Sequence, residues 1–164
     1  MLAIGTLIQV DAESVTPIQE IEVGNEVWVG GLDLDWKRAT IMMSMGTGPG
    51  QPIRQIHIQT ADQGELIGAM DLLVLTTEGL VRMSVLMPGQ TLVRADGGRA
   101  QIVYAMIGES SLGEHALSTS DRATTDPEGH LLVANGFIVG DYALSTGLPR
   151  DPLASSSVPA GETA

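Results

Sequence analysis

Residues 130–139 read HLLVANGFIV, two apolar runs joined by Asn135-Gly136. Asn-Gly supplies the positive φ angles that a two-residue hairpin turn requires, so this stretch predicts two antiparallel strands joined by a tight turn. Thr77-Glu78-Gly79 and residues 95–98 (ADGG) predict further short hairpin connections. The turn chemistry therefore favours a chain built from strands that follow one another closely.

Outward from this hairpin, apolar and β-branched runs recur between Gly, Asp and Pro, at lengths typical of strands. The predicted strands cover residues 6–10, 26–29, 39–45, 54–60, 72–76, 80–84, 91–93, 100–107, 117–120, 130–134 and 137–139. Residues 46–52 (GTGPGQP) predict a loop, because proline lacks a donor and glycine weakens strand packing. No amphipathic helix is predicted, so the fold class is all-β.

The chain divides into one domain and a tail. Its 164 residues fit a single domain, which we place at residues 1–144. Residues 145–164 are rich in Pro, Ser, Gly and Ala and poor in large apolar side chains. Such a segment cannot offset its ordering entropy, so we expect a disordered or weakly held C-terminal tail.

Composition limits the partners. The chain carries 20 Asp and Glu against 8 Lys and Arg, a net charge of -12, which repels nucleic acid and anionic membrane surfaces. No stretch approaches the roughly 20 apolar residues of a membrane span, and the N-terminal residues do not read as a signal peptide, so the cytoplasm is the default expectation. Without cysteine, disulfides, thiolate metal sites and a Cys nucleophile are excluded.

Three stretches carry motifs of one family in the correct order. They are Gly5-Thr6 followed by VGNEV (23–27), then LTTEG (75–79) followed by PGQTL (88–92), and last His130 with Ala134-Asn135-Gly136 and Val139. This order resembles the Hint family, the horseshoe-like all-β fold of short antiparallel strands and hairpins shared by inteins, hedgehog autoprocessing domains and bacterial intein-like domains. The resemblance covers residues 1 to about 142.

The resemblance implies a domain that cleaves or rearranges its own backbone. In the family, a Cys or Ser at the first position attacks the preceding carbonyl, a His in the middle stretch assists, and a terminal Asn cyclises to break the downstream bond. The resemblance also implies a partner, the flanking polypeptide of a larger protein in cis. Neither a cofactor nor a metal is predicted.

The family's reactive positions are substituted in this chain. Counting from the motifs, Met1 stands at the nucleophile position and Leu72 at the His position. Gly140-Asp141 stand in place of His-Asn, and Tyr142 in place of the Cys, Ser or Thr that follows in a splicing intein. A thioether has no proton to lose and a Leu cannot polarise a peptide bond, so splicing is not expected.

Met1 has two explanations. A start methionine has replaced a native nucleophile, or the natural protein begins here and never had one. The second explanation also accounts for the substitution of the other two centres, which the first does not.

The titratable residues left near the expected centre are Asp71, His130 and Asp141. One hypothesis is that Asp141 cyclises onto its own carbonyl and breaks the Asp141-Tyr142 bond, with His130 as acid or base. The alternatives are a solvated Asp141 at a strand end, a half-buried and hydrogen-bonded His130, and an Asp71 in a turn or on an exposed strand.

The remaining histidines and methionines predict structural roles. His57 alternates with Ile56 and Ile58, which predicts a surface position. A metal site combining His115 with Asp121 or Asp126 and His130 lacks the usual short ligand spacing and is not expected. The methionines are expected to fill gaps in the core; they are Met42, Met43, Met45, Met70, Met83, Met87 and Met106.

Two functions follow from these observations. The first is an intein-like self-processing domain that is inactive in splicing and performs at most single-turnover cleavage at Asp141-Tyr142. The second is a degenerate Hint fold kept as a structural or protein-interaction module.

Overall fold

A computed structural model describes residues 1–150. The strands are β1 Leu2–Ala3, β2 Leu7–Gln9, β3 Val15–Pro17, β4 Glu26–Gly30, β5 Lys37–Thr40, β6 Met43–Thr47, β7 Ile53–Thr60, β8 Glu65–Gly68, β9 Leu73–Thr76, β10 Gly79–Arg82, β11 Thr91–Val93, β12 Arg99–Ser110, β13 Glu114–Ser118, β14 Leu131–Ala134 and β15 Phe137–Gly140. One helix follows, α1 Tyr142–Gly147, and short 3-10 turns cover Ile18–Glu20 and Met83–Val85. The all-β prediction is confirmed.

The strands pair antiparallel, and all but β4, β5 and β10 follow one continuous path in the order β3-β2-β14-β15-β9-β11-β12-β7-β8-β1-β13-β6. β10 pairs with β9, while β4 pairs with β14 and β5. The sheet is not closed. The path brings β1, from the beginning of the chain, between β8 and β13, so sequence-distant segments become neighbours.

The hairpin predicted from HLLVANGFIV is present. β14 and β15 pair directly, and the turn residues Asn135 and Gly136 have φ angles of 51° and 86°. The Asn135 side chain also fixes the turn to the rest of the domain, since its Oδ1 accepts a hydrogen bond from the Leu7 amide at 2.9 Å and its Nδ2 donates to the Glu65 carbonyl at 3.0 Å. Local turn chemistry and long-range contacts therefore agree at this hairpin.

The prediction of a single strand at residues 39–45 is wrong, because two strands cover this stretch. β5 pairs with β4, whereas β6 pairs with β13. Ile41, fully buried between them, donates its amide to the Asn25 carbonyl at 2.8 Å, and Met42 donates to the Ser118 carbonyl at 2.9 Å. The chain changes neighbours at Ile41 because this side chain enters the core.

Three strands and the helix were not predicted. β1, β3 and β8 have two to four residues, so they are too short for a periodic signal. Helix α1 runs past Leu144, where the predicted domain ends, to Gly147. The domain boundary stays a prediction, and residues 151–164 of the predicted tail lie outside the described residues. No helix within residues 1–150 is long and apolar enough to cross a membrane.

The core contains aliphatic side chains and the chain's one phenylalanine, Phe137, which is fully buried beneath the Arg94 guanidinium at 4.4 Å. The expectation that the methionines fill the core is wrong for most of them. Met83 is fully buried, but five others have exposed fractions between 38% and 63%, because they lie in turns and on edge strands; they are Met42, Met45, Met70, Met87 and Met106.

Replacing Gly136 by alanine tests how strongly the hairpin turn is constrained. We expect Gly136→Ala to lower the free energy of unfolding by about 1–2 kcal/mol, because an L-residue is strained at its φ of 86° and the added Cβ would lie 2.8 Å from Arg94 Nη1. Gly108→Ala is the control, since nothing lies within 4 Å of its Cβ position and the change should stay within about 0.5 kcal/mol. Equal effects in urea denaturation would contradict this account of the turn.

Candidate functional site

A small cleft brings together five of the residues singled out from the sequence. Its lining includes Met1, Leu72, Gly140, Asp141 and Tyr142, and its volume of about 20 Å³ leaves room for about one water molecule. Wider surface depressions of about 190 Å³ and 420 Å³ lie elsewhere and share none of these residues. The cleft is the candidate site because five residues that the motif order predicts for a site meet there.

Met1 and Leu72 meet because β1 lies beside β8. The Met1 carbonyl accepts a hydrogen bond from the Ala69 amide at 2.8 Å, and the Leu72 amide donates to the Ala69 carbonyl at 3.1 Å. Gly68 lies against both, since a Cβ on it would be 3.0 Å from Met1 O and 2.7 Å from Leu72 Cδ2. Leu72 is 3% exposed, so an aliphatic side chain fills this wall of the cleft.

Asp71 lies outside the cleft lining. Its side chain is exposed, as the turn or exposed-strand alternative expects, and its carbonyl accepts a hydrogen bond from Arg82 Nη1 at 2.7 Å. The Asp71 carboxylate still influences the Met1 amino group through its charge. Burial lowers the pKa of the Met1 amino group below its ordinary value, and the negative charges of Asp71 and Glu114 oppose that shift.

Asp141 is a buried, fully occupied hydrogen-bond acceptor, and the alternative of a solvated carboxylate is wrong. Its side chain is 0% exposed. Oδ1 accepts from the Leu144 amide at 2.9 Å and so caps helix α1. Oδ2 accepts from His130 Nδ1 at 2.8 Å, Ser118 Oγ at 3.1 Å and the Thr119 amide at 3.2 Å.

His130 is a largely covered partner of that carboxylate, with a side chain 15% exposed. The hydrogen bond to Asp141 raises the pKa of His130 above its ordinary value, against an opposing effect of burial, and the charges of Asp141 and Asp126 raise it further. The pair therefore favours an imidazolium facing a carboxylate. This arrangement agrees with the hydrogen-bonded alternative, and it also leaves a proton near Asp141.

Ser118 and Thr119 were missed from the sequence. They end β13 and lie 23 and 22 residues before Asp141, so no spacing signal links them to it. Thr119 Oγ1 also donates to the Gly129 carbonyl at 2.9 Å, which joins the end of β13 to the turn before β14. These contacts come from the sheet path, and only the folded chain shows them.

His115 lines the cleft, a position not predicted for it. It pairs with Leu2 across β1 and β13, and its Nε2 lies 2.8 Å from Ser44 Oγ. Burial lowers the pKa of His115, so the neutral imidazole is favoured. Within residues 1–150, no group of three or more His, Cys, Asp or Glu side chains is placed to hold a metal ion.

Arg82 holds the chain that follows the cleft. It is 3% exposed, and its Nε donates to the Arg150 carbonyl at 2.8 Å. Its Nη2 donates to the carbonyls of Leu148 and Pro149 at 3.1 and 2.7 Å. Hydrogen bonds from a charged donor are stronger than neutral ones, so the segment after α1 is fastened to β10. The sequence did not predict this role, because a single arginine in a strand forms no recognisable pattern.

The geometry makes attack by Asp141 on its own carbonyl slow. Both carboxylate oxygens already accept hydrogen bonds, and the Asp141 carbonyl oxygen accepts from the Ser145 amide at 2.9 Å in the first turn of α1. To turn toward its own carbonyl carbon, the carboxylate must give up hydrogen bonds from these donors. The ground state therefore favours capping over cyclisation.

Comparison with known proteins shows the fold. No protein-family model and no curated protein matches the chain. A bacterial intein-like domain from Clostridium thermocellum superposes with a TM-score of 0.69 at 13% identity, covering 85% of this chain and 96% of that one. A DnaB intein from Synechocystis sp. PCC 6803 gives 0.65 at 20% identity, covering 85% and 96%, and the gp41-1 intein 0.64 at 20%, covering 85% and 97%. The chain therefore has the Hint fold.

The His130-Asp141 pair makes stability depend on pH. Because the pKa of His130 is raised in the fold, its stabilising effect is complete below the unfolded value of 6.5 and is lost as pH rises through the folded value. We expect wild type to exceed His130→Gln in free energy of unfolding by more at about pH 5.5 than at about pH 8.5. Urea denaturation at both pH values measures this difference in free energy. The other titratable groups are present in both proteins, so the comparison isolates His130. A difference independent of pH would contradict it.

Proposed function

We propose that this chain is a Hint domain of the self-processing type that does not splice, and whose reaction is at most a single cleavage of the Asp141-Tyr142 bond. The observation that supports the proposal is the cleft in which Met1, Leu72 and Gly140 meet. At these positions the family carries a nucleophile and two histidines, and here none of the side chains can lose or donate a proton. The partner is the flanking polypeptide in cis.

The first step of splicing requires a nucleophile that forms an ester or thioester with the preceding carbonyl. The thioether of Met1 has no proton to lose and cannot form that intermediate. Leu72, 3% exposed, occupies the place of the assisting His and presents only methyl groups. Restoring one position without the other should therefore give little reaction.

The downstream bond has one chemical route left. An Asp141 carboxylate oxygen would attack the Asp141 carbonyl carbon, forming a five-membered cyclic anhydride while the bond to the Tyr142 nitrogen breaks. That nitrogen needs a proton, and we assign its donation to the imidazolium of His130, whose Nδ1 lies 2.8 Å from Asp141 Oδ2. Water then opens the anhydride to two carboxyl groups. The hydrogen bonds that the Asp141 carboxylate accepts keep this route slow, because attack requires some of them to break.

Cleavage at this bond would not by itself release the downstream polypeptide. Leu144 is fully buried, and Arg82 holds the carbonyls of residues 148–150. The two products would stay associated in native buffer. The assay must therefore read covalent mass under denaturing conditions, because chromatography of the native protein would report an intact species in either case.

The first test is the intact mass of a chain with its native neighbours on both sides, incubated for days. We expect the upstream junction to stay intact, and any fragment pair to correspond to cleavage between residues 141 and 142. Asp141→Ala should abolish that fragment pair, while Asp71→Ala, which removes an exposed carboxylate outside the cleft, should not change it. Loss of the upstream polypeptide, or equal cleavage in Asp141→Ala, would refute the proposal.

The second test restores the upstream chemistry. With a peptide fused before position 1, Met1→Cys combined with Leu72→His should give thiol-induced cleavage at that junction at least about tenfold faster than Met1→Cys alone, since a positioned acid or base contributes roughly 10²–10⁴-fold. Leu66→His with Met1→Cys is the matched control, because Leu66 is also fully buried and does not line the cleft. The same rate from both histidine variants would count against the assignment of position 72.

A second candidate function is a structural or protein-interaction module, which a different observation favours. β12 exposes Val103, Tyr104, Met106 and Ile107, with exposed fractions of 54%, 36%, 54% and 52%. Apolar surface gathered on one strand indicates an interaction site more strongly than single exposed side chains do. This function needs no intact catalytic residues.

A further inference from the structure

β12 has one long side without a strand partner in the described chain. On one side it pairs with β7 from Ile102 to Ser110. On the other side, β11 pairs only with residues 99–101, and the Ile102 amide then donates to the Gln90 carbonyl at 2.8 Å. From Val103 to Ser110, no strand of residues 1–150 covers the β11 side. We name residues 103–110 the free edge.

Between Tyr104 and Gly108, the free edge lacks the features that usually protect an edge strand. Natural sheets place charges, prolines or bulges along exposed edges to prevent pairing with other chains. Residues 100–108 (AQIVYAMIG) contain no charge and no proline, and Glu109 is the first charged residue after them. The irregularity between Ile102 and Tyr104 lies where the free edge begins and leaves Tyr104 to Ser110 in regular register with β7.

We propose that the free edge docks a second copy of this chain, edge against edge, with the two strands antiparallel about a two-fold axis. An antiparallel edge is complementary to itself, because each strand offers alternating amides and carbonyls to the other. The uncharged stretch also selects its occupant. A charged strand would meet no opposite charge along residues 103–108, whereas a second copy brings an equally uncharged and apolar strand.

The pairing is weak and reversible. Stable interfaces typically bury roughly 1,200–2,000 Å². One pair of strands that contact through Val103, Tyr104, Met106 and Ile107 buries less than this area. The net charge of -12 on each copy opposes association, and salt screens that repulsion. Association through the free edge therefore strengthens as salt concentration rises, the opposite of the behaviour of a complex held by opposite charges.

This inference does not rest on the proposed self-cleavage. The free edge shares no residue with the cleft lining. If the free edge does not pair, the cleavage proposal is unaffected. If the cleavage proposal fails, the pairing of the free edge is equally unaffected.

Sedimentation equilibrium of the full chain, from low to high micromolar concentration and at low and high salt, tests it. We expect a monomer at low concentration, a growing dimer fraction at high concentration, and a larger dimer fraction at high salt. Ile107→Lys places a charge on the free edge and should leave a monomer throughout. Val23→Lys, at a residue 60% exposed in the turn before β4, changes the net charge equally and should behave as wild type.

Circular dichroism checks that both variants fold, which we expect because both positions are exposed. A wild-type chain that stays monomeric at every concentration and salt level overturns the proposal. So does a dimer that Ile107→Lys leaves intact, or one that Val23→Lys weakens as much as Ile107→Lys does. Association that weakens with salt also overturns it, because residues 103–108 of the free edge offer no charges to attract a partner.

Discussion

The buried carboxylate of Asp141 joins three separate parts of this chain. It receives hydrogen bonds from the end of β13 through Ser118 and Thr119, from the start of β14 through His130, and from α1 through the Leu144 amide. A buried acceptor of this kind is costly to leave unpaired, so each donor holds the others in place. The last turn of the fold and the cleft beside it depend on this one group.

This arrangement opposes the cleavage considered under the proposed function. In a reactive centre, a side chain must be free to move toward the bond that it breaks. Here the Asp141 carboxylate is held by four donors, and Met1 and Leu72 line the same small cleft.

The sequence predicted what short-range chemistry controls. Asn135-Gly136 predicted its hairpin because positive φ angles are a local requirement, and Ile56 and Ile58 predicted the buried face of β7 because strand residues alternate. The motif order predicted the fold and located the cleft. The sequence did not predict the contacts that the sheet path creates.

Ser118 and Thr119 illustrate that limit, since nothing near them in sequence shows that they end beside Asp141. Helix α1 was missed because residues 142–147 (YALSTG) carry no helical periodicity, and the helix forms on the cap that Asp141 provides. The methionines were misassigned because composition cannot distinguish a core position from one on an edge strand. In each case the missing information is which segment lies opposite.

The fastening of the C-terminal segment by Arg82 has a consequence for how freely that segment can change. Its acceptors at positions 148, 149 and 150 are main-chain carbonyl oxygens, which every amino acid supplies and which proline keeps although it lacks an amide hydrogen. Arg82 thus recognises the course of the backbone and not the identity of the side chains. Substitutions at positions 148 to 150 can therefore change the side chains of this segment without removing the acceptors that hold it against β10.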